Sequence, residues 1–185
     1  MTHVTPSFTN VSFRYRFDDG SETGATWVYA ADTDGDLNTE TIYRMRALLR
    51  QTEDTAAANT SLQWEYNLNS TGWNSVTTTL APVQAVSSKE TSWTITDQDD
   101  TTQQLGSGTF ITPNAGYSEV GTAGGTSLDF NAQNDETEVE LCFIIPFNFV
   151  NDNDTLELRV TAVGETNVYT TTPAISSPWS EVSAL

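Results

Sequence analysis

The sequence predicts an all-β fold in which antiparallel strands form a two-layered sandwich. Apolar and polar residues alternate along most segments, which is the period of a strand with one buried face. Turn-forming Gly, Asn, Asp and Pro separate these segments, and no long amphipathic helix is indicated. The chain has 185 residues, 37% of them hydrophobic, which is enough for one domain with its own core.

Two arginine-rich segments in the first third of the chain are predicted to be strands. In FRYRF, residues 13–17, the aromatic side chains share one face and the two arginines share the other. The segment TIYRMRALLR, residues 41–50, repeats this alternation. Its helical propensity is high, but the alternation favours a strand.

A hairpin is predicted in the middle of the chain. SLQWEYNL, residues 61–68, alternates inward apolar side chains with outward polar ones. Asn69–Gly72 then supplies a turn, and a return strand begins at Trp73.

Two more strands are predicted late in the chain, at ETEVELCFI (136–144) and DTLELRVTA (154–162), with a turn at NDND (151–154). Their outward glutamates are expected to meet the arginine rows as exposed opposite-charge neighbours across a sheet. Each exposed pair contributes about 0.2–1 kcal/mol. The pairs also fix the register, because a one-residue slip would bury the charges. We favour this structural ladder over an arginine-lined binding site.

The strand order, with an inward Trp64, predicts an immunoglobulin- or fibronectin-like sandwich with extended termini. The sandwich is expected to span residues 11–163, between an N-terminal arm (1–10) and a C-terminal strand or arm (164–185). Residues 96–127 form a long polar, glycine-rich insertion with a short strand candidate near Thr109–Thr112. Loops of this length are usually functional or interacting.

Two features of the sequence offer little chemistry. Cys142 is the only cysteine, so no intrachain disulfide can form, and we expect it to be a small buried apolar residue. The sequence GSGTF at 106–110 resembles a phosphate-cradling loop but lacks the required lysine and helix, so it is interpreted as a turn.

Composition narrows the classes of function. The chain has 25 acidic and 7 basic residues, a net charge of -18, so neither nucleic acid nor an anionic membrane is an expected partner. His3 is the only histidine, which excludes His-dependent triads and almost every zinc site. The N-terminus lacks the pattern of a secretory signal. We therefore expect a protein that is not an enzyme and has no cofactor.

Calcium is the one metal for which the sequence offers a set of candidate ligands. Asp32, Asp34 and Asp36 alternate in ADTDGDLN, and carboxylates at alternate positions of a tight loop can bind Ca²⁺. The position of Gly35 departs from an EF-hand loop, however, and a following glutamate comes too early. A solvated polar turn is the favoured interpretation, with calcium as the alternative.

Five segments together resemble β-rich virion proteins of tailed bacteriophages: FRYRFDDGSETGATW, QWEYNLNSTGWNSV, TTQQLGSGTFITPNAGYSE, ETEVELCFII and NDNDTLELRV. The resemblance covers about residues 11–163. It implies a particle component, such as a capsid decoration (cement) protein or a head or tail fibre module. A decoration protein would be made in the host bacterial cytoplasm and would reside on the outer capsid surface. Its partners would be the major capsid protein or other virion proteins, and further copies of itself.

Anchoring contacts for such a role are expected from apolar residues near the termini. The candidates are Val4, Phe8, Ile175, Trp179 and Val182. The alternative is that these side chains complete edge strands of the same domain.

A different class of function remains open: a carbohydrate-binding or adhesin sandwich, possible in a fibre. Exposed Trp27, Trp73 or Trp93 would stack on sugars, and the aspartate loop would hold calcium. A hydrolase using paired carboxylates is a third alternative.

Overall fold

The computed structural model describes residues 6–125, 128–170 and 172–176 and confirms the all-β class. Within these residues the only helical element is a 3-10 turn at Phe147–Phe149, and no helix has the length and hydrophobicity needed to cross a membrane. The strands are, in chain order, β1 (Ser7–Phe17), β2 (Ile42–Gln51), β3 (Leu62–Leu68), β4 (Trp73–Ser75), β5 (Gln84–Ala85), β6 (Thr109–Phe110), β7 (Tyr117–Ser118), β8 (Thr122–Ala123), β9 (Asp135–Ile144), β10 (Thr155–Ala162), β11 (Thr166–Tyr169) and β12 (Ala174–Ser176).

The strands form two sheets. Sheet A has the order β11-β1-β2-β9-β5, and the short strands β6 and β7 also pair with β9. Sheet B has the order β12-β10-β3-β4, with β8 also paired to β3. Strands β9 and β10 lie in different sheets, so the predicted turn at 151–154 lies in a crossover between the sheets.

The core lies between the two sheets and is built largely from the side chains that alternation assigned to the inner faces, with further residues such as Leu37, Leu128 and Phe130 from the connecting segments. Each buried side chain of this size contributes about 1.5–3 kcal/mol. Phe17 is an exception: it is 38% exposed, because it ends β1 at the rim of the sheet, where its ring packs 5.6 Å from that of Tyr43. The predicted inward residues that are buried are Phe13, Tyr15, Tyr43, Met45, Ala47, Leu49, Leu62, Trp64, Tyr66, Val139, Leu141, Phe143, Leu156, Leu158, Val160 and Ala162.

The predicted hairpin between β3 and β4 is confirmed. Asn69 and Ser70 have positive φ angles of 52° and 57°, as tight hairpin turns require. The side chain of Asn69 donates to Asp154 Oδ1 at 2.7 Å and accepts from the backbone N–H of Thr155 at 2.9 Å. The hairpin turn is thereby fixed to the crossover between the sheets.

The described chain enters and leaves the sandwich at opposite ends. Ser7 pairs with Thr166, which follows the tight turn after β10. Ser176 pairs with Thr155, the first residue of β10. Because β10 has eight residues and a strand rises about 3.3 Å per residue, the two ends lie roughly 25 Å apart.

Cys142 is fully buried on β9, as predicted, and burial raises the pKa of its thiol. We expect the native protein to resist alkylation by iodoacetamide at neutral pH, because the thiolate is the reactive form and the sulfur is shielded. Mass spectrometry should show rapid single labelling once urea unfolds the chain. Equal labelling rates in the native and unfolded states would contradict this packing.

Candidate functional site

A buried ion cluster occupies the outer face of sheet A. The register of β2 and β9 places Arg46 opposite Glu140 and Arg50 opposite Glu136, so the prediction that arginine and glutamate rows meet across a sheet is confirmed. The prediction that they are exposed is wrong, because loops cover this face. We define the ion cluster as Arg16, Arg44, Arg46, Asp18, Glu22, Glu138 and Glu140, whose side chains are all at most 10% exposed.

Glu140 is the centre of the ion cluster. Its carboxylate lies 2.8 Å from Arg46 Nε and 3.3 Å from nitrogens of both Arg16 and Arg44. Strands β1 and β2 place Arg16 directly opposite Arg44, and like charges in such positions repel. The shared carboxylate offsets that repulsion.

Two loop segments, residues 18–30 and 96–108, form what we call the cover over the ion cluster. Arg44 donates to the carbonyl oxygen of Gly20 at 2.6 Å, and Arg46 donates to that of Thr102 at 2.7 Å. Glu22 pairs with Arg46 and accepts from the backbone N–H and the hydroxyl of Thr102 at 2.9 and 2.7 Å. Glu22 therefore connects both cover segments to the sheet.

The segment 104–108 cradles carboxylates of β9. Glu138 Oε1 accepts from three successive backbone N–H groups, those of Gln104, Leu105 and Gly106, at 2.8, 2.6 and 2.9 Å. The N–H of Gly108 donates to Glu136 at 2.7 Å. Such a nest of amides is an anion site, and here the protein's own glutamates occupy it. The sequence interpretation as a plain turn missed this role.

Two glycines of this cradle lie close to the Glu136 side chain. A Cβ atom on Gly106 would lie 2.4 Å from a carboxylate oxygen of Glu136, and one on Gly108 would lie 2.6 Å from its carboxyl carbon. The glycine-rich composition of the insertion thus permits the backbone to contact the buried carboxylates.

Burial and ion pairing shift the pKa values of the ion cluster in opposite directions. Burial lowers the pKa of Arg16 to about 10, although Glu140 opposes the shift. Burial raises the pKa of Glu22, but Arg46 and Thr102 outweigh this effect and hold it below 4.5. Burial disfavours the charge on Arg46, yet Glu140, Glu22 and Glu138 together raise its pKa. These groups are therefore charged at neutral pH.

The three tryptophans proposed as sugar platforms all contact arginines. The guanidiniums of Arg14 and Arg16 lie 4.5 and 4.1 Å from the ring centroid of Trp27. Arg159 lies 3.9 Å from the ring of Trp73. The ring of Trp93 is 5.1 Å from Arg44, and it also lines an open cleft. All three are half-buried.

Two aspartates of the candidate calcium segment accept hydrogen bonds from backbone groups. Asp32 accepts from the N–H of Phe13 at 2.9 Å, and Asp34 accepts from that of Ala174 at 2.8 Å. Among residues 6–125, 128–170 and 172–176, no group of three or more acidic, His or Cys residues is placed to hold a metal ion. Asp32 and Asp34 therefore connect this segment to β1 and β12. Gly35 is needed because a Cβ there would lie 2.2 Å from the Tyr29 ring.

The candidate anchoring residues divide into two groups. Phe8 and Ile175 are buried in the core, where the ring of Phe8 lies 4.7 Å from that of Phe130. The structure therefore favours the alternative in which these two side chains complete the domain. Val4, Trp179 and Val182 lie outside the described residues.

Comparisons with known proteins add no relative. A scan against protein-family models, a search of curated proteins and a search of solved structures each returned no match. The functional argument therefore depends on the geometry described above.

Substitution of Glu138 by Gln should lower the free energy of unfolding by about 3–5 kcal/mol, because it leaves Arg46 and the amide nest without a full negative charge in a buried site. Urea denaturation is the measurement. Glu157→Gln is the matched control: Glu157 accepts from the Asn67 side chain at 2.8 Å on the half-exposed face of sheet B. Its effect should stay below about 1 kcal/mol. Equal losses in both variants would show that the nest is unimportant.

Stability should fall in acid partly through Glu22. Its pKa in the folded protein is lowered from 4.5, so its contribution is present above pH 4.5 and is lost as the pH falls through the lowered value. Glu22→Gln should reduce stability at neutral pH and flatten the decline below pH 4.5. Urea midpoints measured from pH 7 to pH 3 test this, with Glu53→Gln in an exposed loop as the control. An unchanged slope in Glu22→Gln would exclude this role.

Proposed function

We propose that the protein is a non-enzymatic structural component of a virus particle, most specifically a capsid decoration protein that binds the major capsid protein on the outer surface. The observation that carries the proposal is the entry and exit of the chain at opposite ends of the sandwich, roughly 25 Å apart. The segments that contain Val4 and Trp179 are then attached to opposite ends and can contact two different neighbours. Many such copies in a lattice would multiply modest contacts through avidity.

The strand order supports an immunoglobulin-like topology for this module. In sheet A the order β1-β2-β9-β5 has the neighbours A-B-E-D of that fold, and in sheet B the order β12-β10-β3-β4 has the neighbours G-F-C-C′. On this assignment, the cover is an insertion between strands D and E together with the loop between A and B. Sandwiches of this type can present two distinct ends to their neighbours.

The distribution of charge supports a basic partner surface. The net charge is -18 with seven basic residues, and Arg16, Arg44, Arg46 and Arg50 are engaged with carboxylates of the same chain. Most of the arginines are therefore paired within the molecule, while most of the described acidic residues are exposed or half-exposed. Attraction to a basic capsid surface would be weakened by salt.

Purified protein should co-sediment with empty capsids of the virus that encodes it, and should be present in virions in a fixed ratio to the major capsid protein. A Trp179→Ala/Val182→Ala double variant should weaken capsid binding by about tenfold or more, since buried aromatic anchors dominate interfaces. Leu80→Ala is the control, because Leu80 is 60% exposed in the loop between β4 and β5, which carries neither terminal segment. The absence of both capsid binding and virion stoichiometry would overturn the proposal.

A further inference from the structure

An open cleft of 490 Å³ lies beside the ion cluster, at the edge of the cover. It is lined by Glu22, Trp93, Thr94, Ile95, Gln98, Asp99 and Asp100. This volume falls within the range of about 300–1,000 Å³ that is common for ligand sites. The lining combines one aromatic ring with several fixed polar groups, whereas the two other tryptophans considered above are packed on arginines away from this cleft.

The aromatic wall of the cleft is held rigidly. The ring of Trp93 packs edge-on against that of Tyr117, with centroids 6.0 Å apart. Arg44 lies 5.1 Å from the Trp93 ring and is itself fixed by Gly20 and Glu140. A ring with this support loses little conformational freedom when a ligand stacks on it.

The carboxylates of the cleft are also oriented in advance. Asp99 Oδ2 accepts from the backbone N–H of Thr96 at 2.7 Å. Asp100 Oδ1 accepts from the N–H groups of Asn114 and Ala115 at 2.8 and 2.9 Å. Within the described part of the chain, these hydrogen bonds engage Asp99 Oδ2 and Asp100 Oδ1 and leave the second oxygen of each carboxylate available. Those oxygens can accept from ligand hydroxyls, and a hydroxyl to a carboxylate makes a strong, charge-assisted bond.

We propose that this cleft binds a neutral saccharide, with the C–H face of one sugar ring on Trp93 and its hydroxyls donating to Asp99 and Asp100. A sugar ring matches the lining because it has an apolar face edged by hydroxyl groups. The carboxylates of the cleft and the strongly acidic surface repel anionic sugars. The site is therefore specific for uncharged glycans over uronic or sialic acids. This activity does not rest on the proposed role in the capsid.

A glycan array followed by calorimetric titration of the best ligand tests the site. Trp93→Ala and an Asp99→Asn/Asp100→Asn double variant should each weaken binding by about tenfold or more, which corresponds to about 1.4 kcal/mol. The asparagine side chains still accept hydrogen bonds from the same backbone N–H groups, so the double variant retains the local fold. It therefore tests the sugar site even if Trp93→Ala is unstable. Trp73→Ala, which removes a tryptophan packed on Arg159 instead of in the cleft, should bind like the unaltered protein.

Four outcomes would overturn the proposal: no saturable glycan binding, preference for anionic glycans, full binding by the double variant, or equal loss in Trp73→Ala. Capsid co-sedimentation of the Asp99→Asn/Asp100→Asn variant separates the two proposals. Retained capsid binding with lost sugar binding supports the cleft as an independent site. Loss of capsid binding with intact sugar binding in the Trp179→Ala/Val182→Ala variant would support the role in the capsid and would show that the sugar site does not depend on it.

Discussion

The buried contact between Glu140 and three arginines is the constraint on which the architecture of sheet A depends. Moving a charged side chain out of water costs several kcal/mol per ion, whereas an exposed pair returns at most about 1 kcal/mol. Such a layer is tolerated only when every charge has partners. The cover supplies the missing partners through Gly20, Glu22 and Thr102. The two loops are thus needed for the sheet to hold its charges.

The ion cluster also specifies the register of the sheet. Arg46 alternates with core residues on β2, so a shift of one residue would place a guanidinium among aromatic side chains and move Met45 or Ala47 among the charges of the ion cluster. Buried ion pairs are weak sources of net stability but can select one arrangement over others. Here the selection acts on β1, β2 and β9 together, because Glu140 on β9 contacts Arg44 of the neighbouring β2 and Arg16 of β1, one strand further across the sheet.

Alternation in the sequence predicted the five long strands, the hairpin and much of the core, because period two alone determines which side chains share a face. It did not predict short strands such as β5, β7 and β8. It could not predict what covers a face. The pattern of Arg159 and Glu65 in sheet B is the same as that of Arg46 and Glu140 in sheet A, yet the former pair is 20% exposed and the latter is fully buried. Glu22 was missed because a loop glutamate has no periodic partner in the sequence. The insertion was recognised as long and polar, but its amide nest depends on three consecutive backbone groups whose direction the residue types do not reveal.

The short strands of the insertion have a separate consequence for how the molecule behaves among its own copies. One edge of β9 is fully paired with β2, and the other is occupied in turn by β5, β7 and β6, each only two residues long. An unprotected ten-residue strand of this kind would be a template for intermolecular pairing and fibril growth. These short strands occupy the edge of β9 and so limit its pairing with another copy of the chain.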